Sequence, residues 1–247
     1  MPEKNKQKIL NVPEKQLPIE PLTLKEIHEA AVKRVALIAR EFRNGFEFIK
    51  DYAKSVTFFG SSLLQEGHPY YNKSRSLAYR VVKELGYSIF TGGGPGLMEA
   101  ANRGGFEAGG NSLGLNIKLP HEQATNPYLT DHISFYYFFG RRVCLAFSAE
   151  AYVFFPGGFG TSNEFFEILT LVQTNKISPV PIILVGKEFW TALEDFMREK
   201  MIALGTIEEE DLKLYTITDD EDEIMNIIRN APVRNGIRYK EGAGKVR

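Results

Sequence analysis

Residues 156–164, Pro-Gly-Gly-Phe-Gly-Thr-Ser-Asn-Glu, restrict the fold of this chain more than any other stretch. They follow an uninterrupted apolar run over 151–155, the composition of a strand buried on both faces of a parallel sheet. From Thr161 to Lys176 the apolar residues Phe165, Ile168, Leu169 and Val172 recur with a helical period. A strand, a glycine turn and a helix in that order aim unpaired backbone N–H groups and the positive end of a helix dipole at an anion. Gly157, Gly158 and Gly160 would let that backbone approach a phosphate with no Cβ in the way. A helix opening at Thr161 puts Glu164 in its first turn, where the dipole would hold the carboxylate ionised.

The same alternation continues along the chain. Thr23 and Glu26 form a capping box ahead of a long helix, whose stripe Ile27, Ala31, Val35, Ile38, Phe42, Phe46 and Ile49 is expected to bend at Asn44 and Gly45. A first strand over 56–60 runs into Ser61 and Ser62. A helix over 71–85 ends at Gly86, and a strand over 87–91 leads to a second glycine turn at 92–96 and a helix over 97–103. Next come a strand over 112–117, a polar loop over 120–130, and the aromatic run 135–139 that leads into a helix carrying Arg141 and Arg142. Beyond the central motif lie a strand over 181–185, a helix over 189–202, a short strand near 214–217 and a last helix over 219–230.

This order predicts an α/β protein: a doubly wound, Rossmann-like parallel sheet of six or seven strands with helices on both faces, plus an N-terminal helical extension over 23–53. Residues 1–22 are expected to form a mobile arm, 23–232 a single domain, and 233–247 a frayed basic tail. Ligands of such sheets bind beyond the carboxyl ends of the strands where strand order reverses, so both glycine turns should meet at one crevice.

Composition narrows the function. A net charge of −1 gives no overall field for nucleic acid or an anionic membrane, and no apolar run reaches the length of about 18 residues expected of a membrane span. The single cysteine, Cys144, precludes an internal disulfide and fits a reducing compartment, so a cytoplasmic protein is expected. His28, His68, His121 and His132 lack ligand spacing, which argues against a metal site. G-x-G-x-x-G fails at Leu97, and no G-K-[ST] follows either turn.

The combined motifs resemble the Lonely Guy family of cytokinin riboside 5′-monophosphate phosphoribohydrolases, also labelled possible lysine decarboxylases. Its P-G-G-x-G-T-x-x-E motif stands at 156–164 and its G-G-G-x-G-x-M-E stretch at 92–99. Further matches at 114–120, Glu122, Gln123 and 126–128 are similar to the longer members. The resemblance implies hydrolysis of a purine nucleoside 5′-monophosphate to free base and ribose 5-phosphate, with no cofactor. It makes Arg141 and Glu164 catalytic, and Ser61, Gly93, Gly94, Arg142, Gly157, Gly158, Gly160 and Thr161 substrate-binding, with Glu99 and Glu122 as further candidates. The apolar stripe over 27–49 and the aromatic run 135–139 offer more apolar surface than one sheet face absorbs, so a homodimer at least is expected, and the resemblance implies further assembly to hexamers among longer members. Two departures are Arg142 in place of lysine, which changes the geometry of the charge, and Ser162 and Asn163 in place of leucine and an acid.

Without that resemblance, the turn at 92–96 reads equally well as a simple bend, and Arg141 with Arg142 as a solvated or interface pair. No lysine stands in or beside either glycine turn, which leaves no Schiff-base residue for a pyridoxal phosphate decarboxylase. Two other readings stay open: a non-catalytic nucleotide or molybdenum-cofactor carrier, and base exchange rather than hydrolysis.

Overall fold

In the computed structural model, residues 22–118 and 125–232 are described. Glu122, most of the expected N-terminal arm and the tail from 233 lie outside them. Two compact units are distinguished, one ending at Ala39 and one beginning at Arg40.

Helix α1 (Leu24–Lys50) runs from the first unit into the second. Its start is the expected capping box: the Thr23 backbone N–H and hydroxyl each donate to Glu26 Oε2 at 2.8 Å, and the Glu26 N–H donates to Thr23 Oγ1. In the first unit the apolar side chains of Leu24, Ile27, Val32 and Val35 are exposed. The helix assignment is continuous through Asn44 and Gly45. Gly45 answers to packing: a Cβ there would come within 2.4 Å of Cys144 Sγ and 2.9 Å of the Phe135 ring.

The second unit is built on seven parallel strands, β1 (Ser55–Phe59), β2 (Ser88–Thr91), β3 (Ser112–Ile117), β4 (Asp131–Phe135), β5 (Ala151–Phe154), β6 (Ile182–Leu184) and β7 (Thr216–Ile217). Their order is β4-β3-β2-β1-β5-β6-β7. The helices between them are α2 (Pro69–Leu85), α3 (Leu97–Glu107), α4 (Phe138–Ala146), α5 (Phe159–Gln173), α6 (Lys187–Phe196) and α7 (Glu221–Arg229). This is the doubly wound architecture expected from the alternation of elements.

Period-two alternation sends neighbouring strand residues to opposite faces, and each face has its own core. Phe59, Phe90, Leu115, Tyr152 and Phe154 pack under α4, α5 and α6 with Leu145, Phe165 and Trp190. Val56, Phe58, Ile89, Val153 and Ile183 pack under α2, α3 and α7 with Leu77, Leu97 and Ile224. The strands therefore had to be apolar on both sides.

Two local expectations are corrected. β4 lies between the polar loop over 120–130 and the aromatic run, where no strand was expected, and shares only Phe135 with that run; as an edge strand that is largely exposed, Asp-His-Ile-Ser-Phe needs no apolar alternation. Helix α3 extends through Gly104 and Gly105 to Glu107, where these glycines serve packing: a Cβ on Gly104 would lie 2.1 Å from the Arg75 carbonyl oxygen of α2, and one on Gly105 2.9 Å from the Ile89 side chain of β2. In the run 135–139, Phe135 is buried, while Tyr136, Phe138 and Phe139 are exposed.

Candidate active site

From β1 the chain winds outward through β2, β3 and β4, then returns to place β5 on the other side of β1. The strand order thus reverses between β1 and β5, and the crevice lies beyond their carboxyl ends. Three loops are knitted together there. The Ser61 N–H donates to the Pro156 carbonyl at 3.1 Å, and the Leu97 N–H donates to the Ser61 carbonyl at 3.0 Å. Gly96, at φ 70°, is required at the second junction, since a Cβ would sit 2.5 Å from the Ser61 oxygen. The expected meeting of both glycine turns is what the backbone shows.

A cleft of about 250 Å³ occupies this junction. It is lined by Gly60, Ser61, Ser62 and Leu63 after β1, Met98 of α3, Arg141 of α4, and Gly158, Gly160, Thr161 and Glu164 at the start of α5. Gly158 is the N-cap of α5, and the first intrahelical bond runs from the Ser162 N–H to its carbonyl. No side chain caps this end. The N–H groups of Phe159, Gly160 and Thr161 meet no acceptor among the described residues, which leaves them free for an anion. Gly157 does not line the cleft; it makes room for Thr161, whose Oγ1 would lie 2.1 Å from a Cβ at 157.

Glu164 sits two residues deeper in its helix than expected. With Gly158 as N-cap the helix opens at Phe159, so Glu164 is its sixth residue and its first turn carries no acid. At that depth burial pushes the Glu164 carboxyl above the usual carboxylate range, and the nearby Arg141 charge and hydrogen bond only partly offset this. The helix dipole is therefore not what governs its ionisation.

Arg141, on α4, is the partner. Its Nη1 donates to Glu164 Oε1 at 2.9 Å, and its Nε donates to the Leu115 carbonyl at the end of β3 at 2.6 Å. Both members of the pair are largely buried, with 10% and 15% of their side chains exposed. Helix α4 is itself anchored by Glu41 of α1, whose carboxylate accepts from the N–H groups of Tyr136 at 2.7 Å and Tyr137 at 3.2 Å. The second-unit end of the N-terminal helix thereby positions Arg141.

The second glycine turn borders a smaller cavity of about 40 Å³, lined by Gly92, Gly93, Gly94, Met98, Asn116, Ile117 and Arg141. Met98 and Arg141 face both spaces. The Gly93 N–H is already taken by Thr91 Oγ1 at 2.8 Å, so it is not available to a phosphate. Asn126 secures the turn: its N–H donates to the Gly93 carbonyl, and its side-chain amide donates to the Gly94 carbonyl and to Asn102 Oδ1.

Two other candidates face elsewhere. Arg142 donates to Asn163 Oδ1 at 2.5 Å and approaches Glu167 at 3.1 Å, along α5 rather than in the cleft. Glu99 accepts from the buried Tyr71 hydroxyl at 3.0 Å, tying α3 to α2. Sequence reasoning missed Met98 and Asn116; an asparagine in the interior of a strand buried on both faces was the available signal for the second.

The model of a family described as possible lysine decarboxylase matches residues 98–228, more than half of the chain. The chain belongs to this family. Among its relatives, a cytokinin riboside 5′-monophosphate phosphoribohydrolase of Arabidopsis thaliana is 24% identical over 197 residues, covering 78% of this chain and 86% of the relative. A protein of the same name from Rhodococcoides fascians is 23% identical over 154 residues, covering 60% and 76%. The Lonely Guy resemblance and the family match therefore agree. Among solved structures, a structural-genomics target known by X-ray is 26% identical, with a TM-score of 0.52 over 71% of this chain and 98% of that one. The molybdenum cofactor binding protein of Rippkaea orientalis has the same TM-score, 0.52, over 71% and 96%, and at 18% identity it shares the fold. The family description names a decarboxylase, yet among the described residues no lysine lines the cleft or the smaller cavity. No described helix is long and apolar enough to cross a membrane.

Proposed function

We propose that this family member hydrolyses the N-glycosidic bond of a purine nucleoside 5′-monophosphate, releasing the base and ribose 5-phosphate. The observation that carries this reading is the Arg141–Glu164 pair, held 2.9 Å apart beside the uncapped N-terminus of α5 in one cleft. A phosphate dianion fits the free N–H groups at 159–161, the Thr161 hydroxyl and Ser61, and there it gains charge-assisted hydrogen bonds. With the 5′-phosphate anchored at the helix end, the ribose reaches the second turn, where Glu164 stands.

Cleavage of the bond between the anomeric carbon and the base nitrogen builds positive charge on the ribose, and an ionised Glu164 stabilises it. Water supplies the oxygen that bonds to the anomeric carbon and its proton passes to Glu164; the departing base takes the bonding electron pair and a proton from solvent, to which Glu164 then gives up the proton it received from water. Arg141 has two effects. Its charge and hydrogen bond oppose the rise in proton affinity that burial imposes on Glu164, and it stabilises negative charge on the departing base. A guanidinium holds its proton at neutral pH, so its part is electrostatic.

Incubation with AMP, N6-prenylated AMP and adenosine, followed by chromatography for free base and ribose 5-phosphate, tests this. Turnover of the monophosphates with adenosine discriminated against is expected. Tight binding of AMP with no base released from any purine monophosphate would replace the enzyme with a carrier.

A further inference from the structure

The two departures from the family pattern, at 142 and at 162–163, meet in the structure. Neighbouring residues of a helix point about 100° apart, so Arg141 and Arg142 leave α4 in different directions. Arg141 lines the cleft. Arg142 Nη1 donates to Asn163 Oδ1 at 2.5 Å, and its Nε lies 3.1 Å from Glu167 Oε2, an ion pair without hydrogen-bond geometry. Asn163 and Glu167 stand four residues apart on one face of α5, with Glu164 between them in sequence. One guanidinium therefore spans the turn that carries Glu164. Since Arg141 closes on the Glu164 carboxylate itself, the two arginines grip α5 at 163, 164 and 167.

The clamp is also balanced in charge. Among the described residues, the charges that bear on Glu164 are those of Arg141 and Arg142 from α4 and of Glu167 from α5. Gly60, Ser61, Ser62, Leu63 and Met98, which line the cleft from the loop after β1 and from α3, carry none. Glu167 and Arg142 act on the Glu164 carboxyl in opposite senses, the first favouring its protonated form and the second its ionised form. An acid at 163, as in the family pattern, would put a second carboxylate against Arg142 and leave this flank negative. Asparagine keeps the hydrogen bond without the charge. We propose that Arg142 is a positioning residue of this site: bridging Asn163 and Glu167, it fixes the turn that carries Glu164 and offsets the Glu167 charge beside it. This rests on the phosphoribohydrolase reading, in which Glu164 works ionised, and it leaves Arg142 outside the contacts made with the nucleotide.

The test is the pH dependence of base release from AMP by the parent, Arg142→Met, Glu167→Gln, the double variant and Asn163→Asp. Arg142→Met keeps the alkyl stem, removes a positive charge and uncovers a negative one. Both changes favour protonated Glu164, so the acid inflection of kcat/KM should move to higher pH. Activity on the acid limb should fall by about two- to fivefold, the range for a partly exposed ion pair, with KM for AMP at alkaline pH within about threefold of the parent. Asn163→Asp, at an exposed position, should move the inflection the same way, and Glu167→Gln the opposite way. Adding Glu167→Gln to Arg142→Met should bring it back towards the parent. An inflection that stays put in Arg142→Met, an equal loss at every pH, or a raised KM that Glu167→Gln does not repair would overturn the proposal. If Arg142→Met does not fold, Asn163→Asp decides, and an unmoved inflection there overturns it. Should the parent release no base at any pH, the activity reading has failed separately, and the Glu164 carboxyl carbon resonance, assigned with Glu164→Gln, is titrated by NMR in the same proteins. Midpoints in the order given uphold the clamp, and identical midpoints overturn it.

Discussion

Gly92→Ala separates the position of Arg141 from its presence. The added Cβ would lie 2.2 Å from Arg141 Nη2 and 2.8 Å from Met98 Sδ, against an ordinary contact that begins at 3.4 Å. The backbone at 92 is not in the left-handed region, so alanine adds no conformational strain there. Both clashing atoms end flexible side chains and can yield, which keeps the cost in stability small. The guanidinium, however, is pinned by Leu115 and Glu164, and clearing the Cβ moves Nη2 by about 1.2 Å, a displacement on the scale that costs roughly a hundredfold in rate. That is about 2.7 kcal/mol of transition-state stabilisation. Initial rates of base release from AMP, with melting temperatures of the same preparations, measure both effects. In an Arg141→Ala background the same alanine should cost less than about threefold, because the group it displaces is gone. Parent-like turnover by Gly92→Ala, or a full hundredfold loss without Arg141, would refute the assignment of Arg141.

Glu164→Gln keeps size and hydrogen bonding but removes the charge; AMP affinity within about tenfold of the parent and turnover lower by about a hundredfold or more are expected in kinetic and calorimetric assays. Because burial raises the Glu164 carboxyl, activity should be complete at neutral to alkaline pH and fall on acidification through an inflection above the usual carboxylate range, read from a kcat/KM profile. Gly104→Ala forces a Cβ against the Arg75 backbone, which cannot rotate away, and should destabilise the fold by about 3 kcal/mol in denaturant titrations. Exposed Phe46, Tyr136, Phe138 and Phe139 offer apolar surface for self-association, and sedimentation at micromolar concentration should show at least a dimer.

The sheet was legible because a parallel strand covered on both faces must be apolar on both, as 151–155 is, and because a glycine such as Gly86, at φ 68°, ends a helix in the conformation only it adopts cheaply. The same signals do not reveal where a glycine serves an approach rather than a turn. Gly45 and Gly104 lie inside helices, and what requires them, Cys144 and the Arg75 carbonyl, is distant in sequence. β4 was hidden for the opposite reason, since its exposed edge imposes no pattern.

Of the candidate residues, Ser61, Arg141, Gly158, Gly160, Thr161 and Glu164 line one cleft, but its electrostatics was not legible. The motif fixes Glu164 six residues after the N-cap only once Gly158 is known to be that cap, and a shift of two residues in helix start changes which force acts on the carboxylate. In the first turn the dipole would lower its proton affinity, whereas two residues further in desolvation raises it and the Arg141 charge and hydrogen bond oppose that rise. Arg141 reaches that place through a chain of contacts no local pattern encodes: Glu41 of α1 holds the entry of α4, Leu115 of β3 orients the guanidinium, and Gly92 leaves room for it. The N-terminal helix, the third strand and the second glycine turn therefore bear on the ionisation of one carboxylate in α5. Their common effect explains why the pair should respond as a unit to substitution at any of them.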